Sequence, residues 1–463
     1  MPILLYMKPV RLEKLRILID YFCHDALHKA LVGILFLLPF IIPVWTISRT
    51  SSQYETFQKI RILNEEGIRW CNQKEYSKSI SHFQGALRLD PDNKTVKSNL
   101  ASAYTELAVE LKSKGNADQA IIALEKASEL NTGNENVHVL LAKLYFEKGD
   151  LMYAEREARI ALIMKPGDPY LLKFLAHVNF LLEDFNEALD QYHTLADSKA
   201  IPENSTELNR LKQEQEVVNT YKKTNCHPFI VYYPDDTYEQ RAKWIAESLV
   251  RVYLKLGSWW NFNPQHEIPV YMYPENTFFR VTRSSAGVIG VYDGKIRLLV
   301  NHDHKIRLQK TAVHEYTHFA LNGLTHMNIP FWCNEGIAQY VAGEWDPIRA
   351  KMFDVAIERR QMMDFKDMDT EELSSFFDTH DRTLAYIQSY VAILFLVEQY
   401  GEKSITELIS CLKKGWTAEK AVEHITLLSY AEFTSDLTAY YLQARKDDAE
   451  GVRTVLSRNE NPL

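Results

Sequence analysis

The sequence predicts a mainly α-helical chain built of three parts in order: a membrane-spanning segment, an array of paired helices, and an α+β domain. Three observations carry this reading. Residues 30–47, ALVGILFLLPFIIPVWTI, run for eighteen positions without a charge. Residues 60–200 repeat one pattern of small and aromatic side chains. Beyond Cys226, short β-branched and aromatic runs come first and a long helical stretch follows, as expected when strands and helices segregate. At 463 residues the chain exceeds one ordinary domain. Its formal charge of −8 mixes both signs along most of the length, without the clustered Lys and Arg of a nucleic-acid footprint. Nucleic acid is not the expected partner.

The uncharged run covers about 27 Å as a helix, close to the hydrocarbon thickness of a bilayer. It lacks the polar face of a core helix, and its length and following residues do not fit a cleavable signal peptide. Lys8, Arg11, Lys14, Arg16 and Lys29 precede it and Arg49 follows. The basic bias predicts a cytoplasmic segment over 1–29, a single membrane anchor over 30–47 and an extracytoplasmic remainder. Cys71, Cys226, Cys333 and Cys411 are too few and scattered there for a disulfide framework.

In the repeated region, NEEGIRWCNQKEYSKSISHFQGALRLDP places Gly67, Trp70, Tyr76, Phe83, Ala86 and Pro91 at offsets that return with Ala142, Tyr145, Gly149, Ala154, Ala158 and Ala161. Ala176, Phe185, Ala188 and Tyr192 repeat the frame again. The pattern resembles tetratricopeptide repeats, which implies about four helix pairs over 60–200 with a concave groove for a protein partner. One repeat, near residue 94, reaches Gly115, Ala120 and Ala127 seven residues late. Seven residues are two helical turns, so its first helix is expected to lengthen without rotating its buried face.

A linker over 201–226 follows, opened by the Pro, Asn and Ser of DSKAIPENST and containing a short polar helix. Over 227–463, HPFIVYYPDD and HEIPVYMYP read as strands around the amphipathic helix EQRAKWIAESLVRVYLKLG. AGVIGVYDGKIRLLV reads as a hairpin turning at Asp293-Gly294. If either of its strands, 287–292 or 295–300, lies at the sheet edge, it can pair with an extended polypeptide substrate.

The helix KIRLQKTAVHEYTHFAL carries His314-Glu315-x-x-His318. The spacing sets both imidazoles on one face with a carboxylate beside the first, an arrangement that holds a metal and a general base together. After sixteen intervening residues WCNEGIAQY supplies Glu335. His314, His318 and Glu335 make a three-ligand set that leaves a tetrahedral position to water, as catalytic zinc requires. His302 and His304 are read as part of a solvated turn, and Cys333 as a small buried hydrophobe.

The two motifs together resemble the gluzincin metallopeptidases, in particular the peptidase MA-like domains, and the second is also similar to gluzincin aminopeptidases. The resemblance covers roughly 227–450. It implies a zincin-like α+β domain that binds Zn2+ through His314, His318 and Glu335, with Glu315 as catalytic base. It further implies a Tyr that holds the oxyanion: Tyr386 and Tyr390 are the candidates, and similarity favours Tyr386. In thermolysin-like relatives an Asp four residues beyond the Glu ligand orients a zinc-bound His; Gln339 stands there in this chain. A Gln carbonyl can accept the ring N–H but brings no charge. The expected activity is a membrane-anchored zinc metallopeptidase whose repeats recruit partners or substrates. The alternative is a non-catalytic repeat scaffold with a structural or inactive zinc domain.

Overall fold

The computed structural model describes residues 53–450 apart from 131–132, 203–204, 265–266, 285–286, 302–303 and 370–378. The expected anchor at 30–47 and His302 lie outside the described residues. Among the described residues no helix is long and apolar enough to cross a membrane. The chain is mainly helical with one small mixed sheet. Its contacts divide it into two compact units, 1–104 and 105–463.

In the first unit, helix α1 (53–72) pairs with α2 (Tyr76–Leu89). Gly67 is small because Phe83 lies on it: a Cβ there would stand 2.6 Å from the ring. Ser79 Oγ donates to Gly67 O at 2.8 Å. Helix α3 (Lys94–Ser113) begins in this unit, where Asn99 Nδ2 donates to Asn64 Oδ1 at 2.8 Å.

The second unit continues the repeats with α4 (Ala117–Leu130), α5 (Glu135–Glu147), α6 (Leu151–Met164), α7 (Pro169–Leu181) and α8 (Phe185–Asp197). Helix α3 spans 20 residues against 13 in α5 and α7, the two-turn lengthening that the late small residues imply. The repeated alanines, Ala154, Ala158, Ala161, Ala176 and Ala188, are fully buried. Each lets a neighbouring helix approach at a place where a larger side chain would not fit.

Helix α9 (Thr206–Thr220) leads into a strand that sequence reasoning missed, β1 (Lys222–Cys226). Three of its five side chains are solvated and its KKTNC sequence alternates nothing apolar, so hydrophobic periodicity carries no signal for it. It is an edge strand, and its lysines disfavour pairing with another chain. The sheet order is β1-β2-β3-β5-β4, with β2 (Phe229–Tyr233), β3 (Ile268–Tyr273), β4 (Gly290–Tyr292) and β5 (Ile296–Leu299). β2, β3 and β5 run parallel, and β1 and β4 flank them antiparallel. Both faces are covered. Phe229, Val231 and Val270 meet the buried side of α10 (Glu239–Trp260), while Tyr232, Tyr271 and Tyr273 face the opposite cluster with Val217 of α9.

Of the two candidate edge strands, β4 is at the edge and β5 is internal. The register pairs Tyr292 with Ile296, so Lys295 joins Asp293 and Gly294 in a three-residue turn rather than the expected two. Lys295 is drawn out of the ladder: its ammonium lies 4.2 Å from the Phe180 ring and 4.6 Å from the Phe185 ring of the last repeat. Beside it Arg297 Nη2 donates to both oxygens of Glu214 on α9, at 2.9 and 3.0 Å, with both side chains fully buried. Asp293 pairs with Arg297 and with Arg210. The hairpin tip is thereby tied to α7, α8 and α9.

Between β3 and β4 lies α11 (Glu275–Thr282), and after the sheet come the helices α12 (Lys305–Thr325), α13 (Phe331–Ala342), α14 (Pro347–Glu358), α15 (Thr379–Tyr400), α16 (Lys403–Lys413), α17 (Ala418–Thr426) and α18 (Tyr430–Ala449). Helix α12 is buried along most of its length, between α10, the hairpin and α13. Helices α13 and α15 cross at Gly336, where a Cβ would stand 2.3 Å from Ser389 O. That close crossing sets the depth at which the next residue back, Glu335, meets α12.

Candidate metal centre

His314 and His318 sit one turn apart on α12 with ring centroids 4.7 Å from each other. Their Nε2 atoms are 3.0 Å apart. Glu335, in the first turn and a half of α13, brings one carboxylate oxygen to 3.4 Å from His314 Nε2 and the other to 3.6 Å from His318 Nε2. Ligand bonds of about 2.0–2.1 Å in a tetrahedron place donor atoms about 3.3 Å from one another. The three observed separations bracket that figure. All the donor atoms of the trio lie within 4.8 Å, and Glu335 Oε2 is buried without a hydrogen-bond partner. Such a group is costly unless something else satisfies it, and a cation bound by the trio would do so.

The remaining ring nitrogens each lie close to an oxygen. His318 Nδ1 lies 2.9 Å from Asn334 Oδ1, the residue before Glu335, so the helix that supplies the carboxylate also orients the imidazole. His314 Nδ1 lies 3.0 Å from Glu344 Oε1, and Arg349 stands 3.4 Å from the other oxygen of Glu344. Gln339 does not touch either imidazole. Its amide donates to Tyr386 O at 2.9 Å and Glu335 O at 3.1 Å, and its oxygen accepts from Arg349 at 2.9 Å. The Gln339 carbonyl thus accepts from Arg349 rather than from a ring N–H, and it is a charged residue, Glu344, that stands beside His314.

The reason lies in the end of α13. Gly343 closes the helix with φ +63°, and the Glu344 N–H donates to Gln339 O at 3.0 Å, a turn that folds the chain back along the helix. Asp346 then caps α14, accepting from the N–H groups of Ile348 and Arg349, which brings Arg349 back to Glu344.

Glu315 is buried, and its carboxyl group is pushed up to about 8, first by that burial and then by Glu335 and Glu344, against the pull of His314. Burial by itself lowers the His314 imidazole, yet Glu344, Glu335 and Glu315 around it hold it well above its usual range. His318 is lowered by burial and by the charge of His314. Three carboxylates thus surround two imidazoles in a low-dielectric site, a charge balance that favours a divalent cation. Such a cation would also bring Glu315 back toward its ionised form.

Gly290 is what allows the edge strand to lie over this cluster. A Cβ there would be 2.4 Å from Glu315 Oε1 and 2.7 Å from Thr311. Ile289 O accepts from Leu299 N and Asp293 N donates to Lys295 O, so in the alternating antiparallel pattern the N–H and C=O groups of Gly290 and Tyr292 point away from β5. The Tyr292 N–H reaches the Glu315 carboxylate.

The two candidate tyrosines separate. Tyr390 is buried in the core, its ring stacked 5.0 Å from Trp345. Tyr386 is 38 % exposed, rests edge-on against Phe331, and has its hydroxyl raised chiefly by the charge of Glu335. His304 is exposed and immediately precedes α12, and Cys333 is buried; neither joins the trio.

Residues 260–439 match the Peptidase MA superfamily, and residues 101–134 match the tetratricopeptide repeat. The chain is 26% identical over 196 residues to the uncharacterized protein YhcO of Bacillus subtilis, a match that takes in 38% of this chain and 58% of that protein. Solved structures with partial likeness include MamA AMB-1, with 21% identity, a TM-score of 0.24, and 32% of this chain and 77% of that one covered. Another is a tetratricopeptide repeat protein from Parabacteroides merdae, with 12% identity, a TM-score of 0.28, and 72% of this chain and 99% of that one covered. The chain carries a Peptidase MA superfamily domain over residues 260–439, preceded by a tetratricopeptide repeat region.

Proposed function

We propose that the chain is a gluzincin-type zinc metallopeptidase that cleaves peptide bonds in polypeptide substrates, with its repeats recruiting protein partners or the substrate. The observation that carries this reading is the convergence of His314, His318 and Glu335 donor atoms within 4.8 Å, with the Glu315 carboxylate next to them beneath an edge strand. Zinc, when bound, lowers the pKa of a coordinated water and polarises a carbonyl oxygen.

The chain's own residues do the rest. The outward-facing N–H and C=O of Gly290 and the C=O of Tyr292 pair with the substrate backbone and hold it extended across the motif helix, while the Tyr292 N–H stays on Glu315. Glu315 takes the proton of the attacking water and passes it to the leaving amine. Tyr386 donates its hydroxyl to the oxyanion. Glu344 and Asn334 hold the two imidazoles in orientation, and the Glu344 charge raises ligand basicity.

Metal analysis tests the site. The full chain is expected to hold one zinc, and His318→Ala or Glu335→Ala to lose it. Glu344→Gln is expected to keep the metal but with roughly ten- to hundredfold weaker affinity, the usual cost of removing an orienting partner. Full zinc retention by both ligand variants would place the metal elsewhere.

The same proposal includes a single anchor at 30–47, with the N-terminus cytoplasmic and the peptidase domain outside the cytoplasm. A reporter fused after residue 60 is expected to be active only outside; activity only inside would reverse the topology.

A further inference from the structure

Where the repeats meet the peptidase domain, within the second unit, there is a cavity of about 460 Å³. Phe146 and Leu151 line it from the repeats, and Phe262, Tyr292, Phe319 and Asn322 from the peptidase side. This size and this aromatic lining suit a binding site for an organic group. The charges at its rim are already engaged: Lys148 lies 2.9 Å from Asp118 and 3.5 Å from Asp150, and Lys112 pairs with Glu147 at 2.5 Å.

Tyr292 belongs to both this cavity and the metal centre. Its N–H reaches Glu315, while its ring stands edge-on to Phe319, 6.0 Å away, and forms part of the cavity wall. The wall continues through Asp293 and Gly294, the first two residues past the end of β4. Gly294 packs on Leu181 of the last repeat, where a Cβ would stand 2.7 Å from its side chain. At about 3.3 Å per residue, a chain paired with β4 beside Glu315 arrives at the cavity about two residues further on. Phe319 lies four residues from Glu315 along α12, a rise of about 6 Å, which agrees with that distance.

We propose that this cavity is a selectivity pocket, formed jointly by the repeats and the peptidase domain, that receives a large aromatic or aliphatic side chain of an extended polypeptide about two residues from the bond to be cut. The paired rim charges leave apolar burial as the discriminating interaction. The inference rests on the reading of β4 as the strand along which substrate lies, but not on the chemistry of cleavage.

The test is therefore a binding measurement on the full chain carrying Glu315→Gln. Fluorescein-labelled decapeptides of Gly, Ser and Thr, each with a single Phe at a different position, would be titrated by fluorescence anisotropy. One Phe position is expected to bind at least tenfold tighter than the others. Asn322→Trp on one wall and Leu151→Trp on the other, each added to that background and checked for folding by circular dichroism, should abolish that preference while leaving the affinity of the all-polar peptide within twofold. Equal binding at every Phe position, or a preference that survives in whichever filled variant folds, overturns the pocket. The catalytic reading fails separately, through absence of zinc or of cleavage by the parent chain.

Discussion

Glu315→Gln is expected to lower peptide hydrolysis by two or more orders of magnitude with zinc content unchanged. The carboxylate lies beside the metal trio without being one of its donor atoms, so the substitution removes a proton acceptor and leaves the ligands in place. General base catalysis contributes about 10²–10⁴ in rate, and the amide keeps the shape and the hydrogen bond from Tyr292. Loss should fall on kcat, with KM little altered, because the role is confined to the reacting step. Tyr386→Phe is expected to cost less, since it deletes one oxyanion donor while the other electrostatic stabilisation remains. Steady-state kinetics on one peptide substrate with zinc measured on the same samples decides it. Parent-like turnover by the Gln variant would sink the mechanism, and loss of zinc from that variant would make the substitution a structural one.

The second large effect is on stability, and its source is remote from the metal. Glu214→Ala leaves the Arg297 guanidinium fully buried, with Lys295 beside it and the partly exposed Asp293 as its remaining carboxylate partner. Removing one partner of a buried ion pair costs about 3–5 kcal/mol, because the other charge stays desolvated. The retained Asp293 sets the expectation at the lower end, about 3 kcal/mol. A double replacement, Glu214→Leu with Arg297→Met, removes both charges and is expected to recover most of the loss. Denaturant unfolding of the three chains, followed by tryptophan fluorescence, separates the cases. Equal destabilisation in the single and double variants would mean that packing volume rather than uncompensated charge is at stake.

Much of the centre was legible along the chain because helices make short-range geometry predictable. A spacing of four residues puts His314 and His318 on one face whatever surrounds them. Glu335 comes five residues after Pro330, which precedes the first residue of α13, so a carboxylate near the start of a helix could be named from sequence. The repeats were legible for a related reason: small residues recur where helix pairs touch, and the seven-residue displacement in α3 preserves the same buried face.

Glu344 was not legible. It lies beyond the glycine that ends α13, and the left-handed turn at Gly343, not any helical period, carries it back to His314. Gln339 has the spacing of an orienting residue, but the close crossing at Gly336 presents it to the Tyr386 carbonyl instead. Strand order was equally beyond reach, since both hairpin strands are apolar and only sheet pairing makes β4 the edge. Lys295 and Arg297 are buried because the last repeat and α9 supply Glu183, Glu214 and two phenylalanines from more than 80 residues away. The sequence by itself determined most of the elements, β1 excepted, and the grouping of His314, His318 and Glu335 with Glu315 beside them, set by spacing within single helices or near their starts. Which partners orient those groups, which strand edge is open and what covers the sheet were decided only by tertiary packing, because buried charge and close backbone approach depend on what distant segments bring to the same place.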